Sequence, residues 1–241
     1  MADQIQTEMI QSLLLVALSL CFNPGEEYLT EEQILSRGFS PTSDYGKTCL
    51  QSLVNSDAVK YKCISPSNPL TVDIELKYFQ NPVTETQRHL FIYEQGIKLL
   101  HLLEANPGND LYFLSMRIDI KVQECIEYAN FYAYKSKINI TNKGTGNPKL
   151  ILMLMELKLE NVFALIWRSI KILSRESNTQ SRAYEFSEII NLAFEKYTDE
   201  KNSVHRMDEY KRPSQIKLSK ISWVAEKLLS EIPRISQSIK T

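Results

Sequence analysis

The sequence predicts a mainly helical chain with one small β-hairpin in its first third. Three observations carry that prediction. Apolar residues recur at helical spacing through most of the chain, beginning with Ile5, Met9, Leu13, Val16 and Leu20. Glycine is scarce, with 7 in 241 residues, so few positions interrupt a helix. Alternation of apolar and polar residues is concentrated at 59–63 and 72–77, on either side of the turn cluster Ser65-Pro66-Ser67-Asn68-Pro69.

The first helix covers residues 4–21. Leu14, Leu15 and Ala17 widen its apolar face, so it is expected to be buried on most sides, and Asn23-Pro24-Gly25 ends it. Its apolar run is too short to span a bilayer. Asp3 and Glu8 stand where a secretory leader carries positive charge, and the first basic residue is Arg37. Thr30 and Gln33 have capping-box spacing ahead of a short helix, 31–36, which Gly38 stops. A second helix, 41–55, follows, with Pro41 in its first turn and Tyr45, Cys49, Leu50, Leu53 and Val54 on its apolar face. The two alternating segments are the strands of the hairpin.

Asn81-Pro82 breaks the chain. Thr84 and Gln87 form a second capping-box pair, opening a helix to residue 105 with Leu90, Tyr93, Ile97, Leu100 and Leu103 inward. Asn106-Pro107-Gly108-Asn109 stops it. Residues 111–134 read as a further helix ending in an aromatic cluster, Tyr128, Phe131, Tyr132 and Tyr134. Residues 135–149 are polar, glycine-bearing and free of acidic residues. They read as an exposed loop, or as a hairpin with Ile138 and Ile140 on one strand, and as the internal boundary. A helix over 150–173 has Leu152, Met155, Leu159, Val162, Ile166 and Ile170 at helical spacing. Another, 182–197, carries Tyr184, Ile189, Ile190, Ala193 and Phe194. Residues 198–214 read as a mobile loop. The last helix, 215–232, has Ile216, Ile221, Val224, Leu228 and Ile232 inward, and Pro233 ends it. This gives a first unit over 1–80, a helical connector over 81–134, a basic flexible loop over 135–149 and a C-terminal helical domain over 150–241.

Chemical motifs are eliminated one by one. Gly46-Lys47-Thr48 lacks the upstream glycine and the strand of a phosphate-cradling loop. Gly144-Thr145-Gly146 lacks the strand–helix setting of a dinucleotide site. His89, His101 and His205 have no ligand spacing. Asn139-Ile140-Thr141 is a sequon only in form. Asp119, Glu124 and Glu127 read as solvated helix positions. Cys21, Cys49, Cys63 and Cys125 have no CxxC pairing and sit among apolar residues, so they read as buried free thiols of a cytoplasmic protein. No metal, cofactor or catalytic residue is expected.

Charge is uneven. Residues 1–80 hold 5 Lys and Arg against 10 Asp and Glu, and residues 141–241 hold 17 against 12. DNA affinity rests on neutralising phosphates, so an acidic first unit is a poor DNA reader on its own. The candidate nucleic-acid-binding residues are Lys135, Lys137, Lys143 and Lys149 in the acid-free loop, and Arg206, Lys211, Arg212, Lys217 and Lys220 around the second polar stretch. In the hairpin, Lys60 and Lys62 point one way, with Asp57, Asp73 and Glu75 close by in sequence.

The order helix, short helix, helix, strand, turn, strand over residues 4–77 resembles the winged-helix superfamily. The first unit is thus expected to be winged-helix-like. Winged helices include transcription regulators and the accessory subunits of SMC-type complexes, which dock on an ATPase. The segment 41–55, in the place of a recognition helix, carries Lys47 as its one base, beside Asp44, with Gln51 and Asn55 as further base-reading candidates. That thin set favours the accessory-subunit reading. The expectation is a non-enzymatic subunit that docks on partner proteins and touches double-stranded DNA through its basic loops. The alternatives are a dimeric, sequence-specific transcription regulator and an enzyme whose site assembles only in the fold.

Overall fold

The computed structural model describes residues 2–26, 29–63, 72–76, 84–104, 109–176, 183–201 and 208–228. The chain is mainly helical. No helix among the described residues is long and apolar enough to cross a membrane. Two compact units form: residues 1–115 with 218–241, and residues 116–217.

In the first unit, helix α1 (Ala2–Ser19) is buried from Ser12 to Ser19 on all sides, as its wide apolar face requires. Phe91 and Leu99 of α4 (Glu85–Glu104) are buried where that helix packs on α1. Leu90 and Tyr93, expected inward, are 56% and 62% exposed. Helix α4 carries two apolar stripes, and the one containing Phe91 wins the core.

Strand β1 (Leu29–Thr30) leads into α2 (Glu31–Ser36). The capping box forms in full: Gln33 N–H donates to Thr30 Oγ1 at 3.1 Å, and Thr30 N–H to Gln33 Oε1 at 2.9 Å. Gly38 follows with φ +74°, a backbone that favours glycine. Helix α3 (Ser43–Asn55) starts two residues later than expected, because Thr42 caps it and Pro41 lies outside. Strands β2 (Val59–Cys63) and β3 (Val72–Leu76) pair antiparallel, and β1 joins the far edge of β3, giving the order β1-β3-β2. The two-residue β1 is too short to show alternation, so the sequence did not reveal it.

Gly46 serves packing rather than phosphate. A β-carbon there would lie inside the van der Waals radii of Ser40 Oγ and Leu35 Cδ2. Ser40 Oγ cannot swing away freely, since it donates to Thr42 O at 2.6 Å. Gly46→Ala would gain about 0.5–1 kcal/mol of helix propensity but lose about 1–3 kcal/mol to overpacking. A net loss near 1 kcal/mol is the expected result in urea unfolding.

Residues 218–228 return to this unit. Lys220 N–H donates to Gly38 O at 2.7 Å and Ile221 N–H to Phe39 O at 3.0 Å. Helix α9 (Lys220–Trp223) and a π-helical turn (Val224–Leu228) bury Ile221, Val224 and Ala225. The expected C-terminal domain over 150–241 is therefore divided, with 218–228 in the first unit.

In the second unit, α5 (Asn109–Lys135) contributes the residues from Met116 onward. Its last turn ends on Lys137 at φ +57°, and Ile138 N–H donates back to Ala133 O at 3.0 Å. Segment 135–149 lies inside this unit instead of dividing the chain. Strand β4 (Asn139–Thr141) pairs parallel with β5 (Ala183–Glu185), not with a neighbour in a hairpin. The expected helix over 150–173 is two helices, α6 (Pro148–Glu156) and α7 (Leu159–Glu176). Leu157 leaves the helical region at φ −116°, ψ 158°. The break resets the phase: α6 buries Leu150, Met153 and Leu154, and leaves Leu152 and Met155 40% and 62% exposed. Helix α7 buries Leu159, Val162, Phe163, Ile166 and Ile170. Helix α8 (Phe186–Lys201) buries Ile189, Ile190, Ala193 and Tyr197 against it.

Candidate nucleic-acid interface

Helix α7 is amphipathic, and its outer face is basic. From Asn161 to Arg175 it contains no acidic residue, while Arg168, Lys171 and Arg175 recur at i, i+3 and i+7. Such spacing puts all three on one face over two helical turns, about 10 Å. Lys196 of α8 meets them, and together with Trp167 and Ile172 they line an open groove of about 490 Å³. Trp167 is half-buried and packs edge-on against Tyr210 at 5.2 Å. Lys171 Nζ lies over its ring at 5.5 Å.

The four cations are not equivalent. Arg168 is ion-paired to Glu200 of α8 and to Asp208. Among the described residues, no ion pair engages Lys171, Arg175 or Lys196. The groove therefore offers three positive charges that no carboxylate among the described residues neutralises, beside one that is already balanced. Such an arrangement can hold a phosphate backbone electrostatically, without reading bases.

The expected basic residues are scattered by comparison. Lys135 lies over the Phe131 ring at 4.3 Å, and Lys137 occupies the left-handed residue after α5. Cations at a helix C-terminus complement its dipole, so both have a structural role. Lys143 pairs with Glu185 at 3.8 Å, and Lys149 Nζ donates to Asn191 Oδ1 at 2.9 Å. Lys211 and Lys217 are exposed. Arg206 lies outside the described residues. The Lys220 main chain takes part in the return of the chain to the first unit.

Arg212 does not face solvent as a phosphate ligand would. Its side chain is 17% exposed and is ion-paired with Glu124 and, at 3.6 Å, with Glu127. Its guanidinium lies over the Phe163 ring at 5.6 Å. Glu124 is 1% exposed, so the expectation of a solvated Glu124 is corrected. Its partner comes from a segment distant in sequence, and no local pattern could announce it. The segment carrying Arg212, expected as a mobile loop, is pinned from 208 to 216. Tyr210 N–H donates to Glu160 O at 3.0 Å, Asn161 Nδ2 donates to Asp208 O at 3.1 Å, and Lys158 pairs with Glu209 at 3.0 Å. Ile216 is buried in the core.

Burial pushes the Glu127 carboxyl up to about 7, neighbouring Glu124 adds to the rise, and Arg212 only partly offsets it. The folded state thus holds a proton that the unfolded state releases near pH 4.5. Stability is full below that pH and falls as pH rises through 7. The upper limit of the loss is about 3 kcal/mol. Glu127→Gln removes this dependence. Urea unfolding at pH 5.5 and 8 should show the wild type losing stability across the interval and the variant losing less.

Three cysteines, Cys21, Cys49 and Cys125, are buried and free. Burial raises the Cys21 and Cys49 thiols to about 12 and lifts Cys125 as well, so none is a poised nucleophile. The Cys63 side chain lies outside those described. In comparisons with known proteins, no family model, no curated protein and no solved structure matches the chain.

Proposed function

We propose that this chain is a non-enzymatic subunit of a larger, nucleic-acid-associated assembly. Its first unit docks on protein, and its second holds nucleic-acid backbone along the α7–α8 groove. The observation that carries the reading is the set of three cations around that groove, Lys171, Arg175 and Lys196, which have no ion pair among the described residues. Sequence chemistry agrees, since neither a nucleophile motif nor ligand spacing is present to support catalysis.

The first unit is read as winged-helix-like. The order α1-β1-α2-α3-β2-β3 with strand order β1-β3-β2 supports this. Its use as a protein-docking module, in the manner of SMC-complex accessory subunits, is supported by charge. The hairpin register sets Lys60 opposite Glu75 and Lys62 opposite Asp73, so each base has an acidic residue across from it in the ladder. In α3, Gln51 Nε2 donates to Asn55 Oδ1 at 2.8 Å. The two side chains best suited to base edges are thus bound to each other, which weighs against the regulator reading.

The test is titration of a mixed-sequence DNA duplex at low and moderate salt. Binding that collapses with salt is expected, because backbone contact releases counterions. A selection from random duplexes separates the two readings: no enriched motif agrees with backbone contact, and an enriched motif agrees with a regulator. No binding at low salt would contradict the nucleic-acid part of the reading.

A further inference from the structure

We propose that Asp208 is an intramolecular competitor for nucleic-acid backbone, holding at Arg168 the place that a phosphate takes on binding. The inference rests on the reading of the α7–α8 groove as a phosphate site. Arg168 is the one groove cation with two carboxylate partners among the described residues, Glu200 and Asp208. A guanidinium presents the same fork of donors to a carboxylate and to a phosphate. The free protein therefore already carries a ligand mimic at one end of its own groove.

The two partners differ in how easily they leave. The Glu200 side chain is 24% exposed, whereas that of Asp208 is 55% exposed. An ion pair so open to water is weak, and a polyanion can overcome it. Releasing the carboxylate does not require the segment to detach. The Asp208 carbonyl is held by Asn161, the Glu209 carboxylate by Lys158, and Tyr210 by Glu160 and Trp167. Glu200 stays and keeps the guanidinium aimed. A tethered carboxylate has a high effective concentration, so one free phosphate competes poorly against it. A chain of phosphates engages Lys171, Arg175 and Lys196 at the same time and wins. The ligand class is accordingly a nucleic-acid strand or duplex, not a mononucleotide, and Asp208 sets a threshold that excludes small anions.

The test compares wild type, Asp208→Asn and Glu209→Gln by anisotropy with a mixed-sequence duplex at low salt. Glu209 pairs with Lys158, a cation outside the groove lining, so its variant removes the same charge at a different partner. Asp208→Asn should bind about two- to fivefold more tightly, the range of an exposed ion pair, and Glu209→Gln less tightly than Asp208→Asn. Asp208→Ala, which keeps the main-chain bonds, should match Asp208→Asn. Equal gains for the Asp208 and Glu209 variants would overturn the competitor in favour of net charge alone. An unchanged Asp208→Asn affinity would overturn it while wild-type binding still supported the phosphate groove. No binding by any of these proteins would overturn both.

Discussion

Replacing Arg212 with alanine lowers the stability of the second unit by about 3–5 kcal/mol, the cost of taking the ion-pair partner from a buried carboxylate. Glu124 is 1% exposed, and Arg212 is its ion-pair partner. Glu127, already pushed up to about 7, stands beside it and repels it. Removing the guanidinium strips the cation that both carboxylates share and uncovers the Phe163 ring on which it lies. The cost is largest at pH 8 and smaller at pH 5.5, where protonation relieves the pair. Arg212→Lys keeps the charge but loses the fork and the flat packing on the ring, so it falls between wild type and Arg212→Ala. Adding Glu124→Gln to Arg212→Ala recovers part of the loss, because the buried negative charge is gone. Urea unfolding of the four proteins at both pH values checks the series. Equal stability of Arg212→Ala and wild type at pH 8 would mean that the ion pair does not form.

Local chemistry was legible in this sequence, and long-range pairing was not. The Thr30–Gln33 capping box, the short helix it opens and the two hairpin strands are set by neighbours within a few residues, and each formed where its residues indicated. The break at Leu157 was hidden because 150–173 contains no glycine or proline, and both halves are strong helix formers. Once the phase resets there, Leu152 and Met155 turn outward although their spacing matches the core residues of α7. The strap at 208–216 looked like a loop because its polar residues are satisfied by α7, which the sequence places far away. The candidate site was half legible. The acid-free face of α7 with Arg168, Lys171 and Arg175 can be read from spacing alone, but it is less conspicuous than the lysines of the glycine-bearing 135–149 segment. Lys196 could be added only once α8 was seen packed beside α7. Arg212 was misassigned for the same reason that Glu124 was: each is a charge whose meaning depends on the other.

The second large effect is in binding. If the groove binds backbone as proposed, Lys171→Glu, Arg175→Glu and Lys196→Glu together should weaken duplex binding about a hundredfold at low salt, because each cation would hold a phosphate with roughly 1 kcal/mol. The three residues are not ion-paired among the described residues, and none lies in the core, so the fold should survive. Each cation removed also lowers the dependence of log K on log salt by about one. The most direct measurement is therefore the salt slope of duplex binding for three proteins: wild type, the groove triple variant, and Lys135→Glu, Lys137→Glu and Lys143→Glu combined. The account predicts a slope smaller by about three for the groove variant and a lesser change for the loop variant. A groove variant with the wild-type slope would contradict the account, and if the loop variant lost binding instead, the backbone would belong on the 135–149 segment.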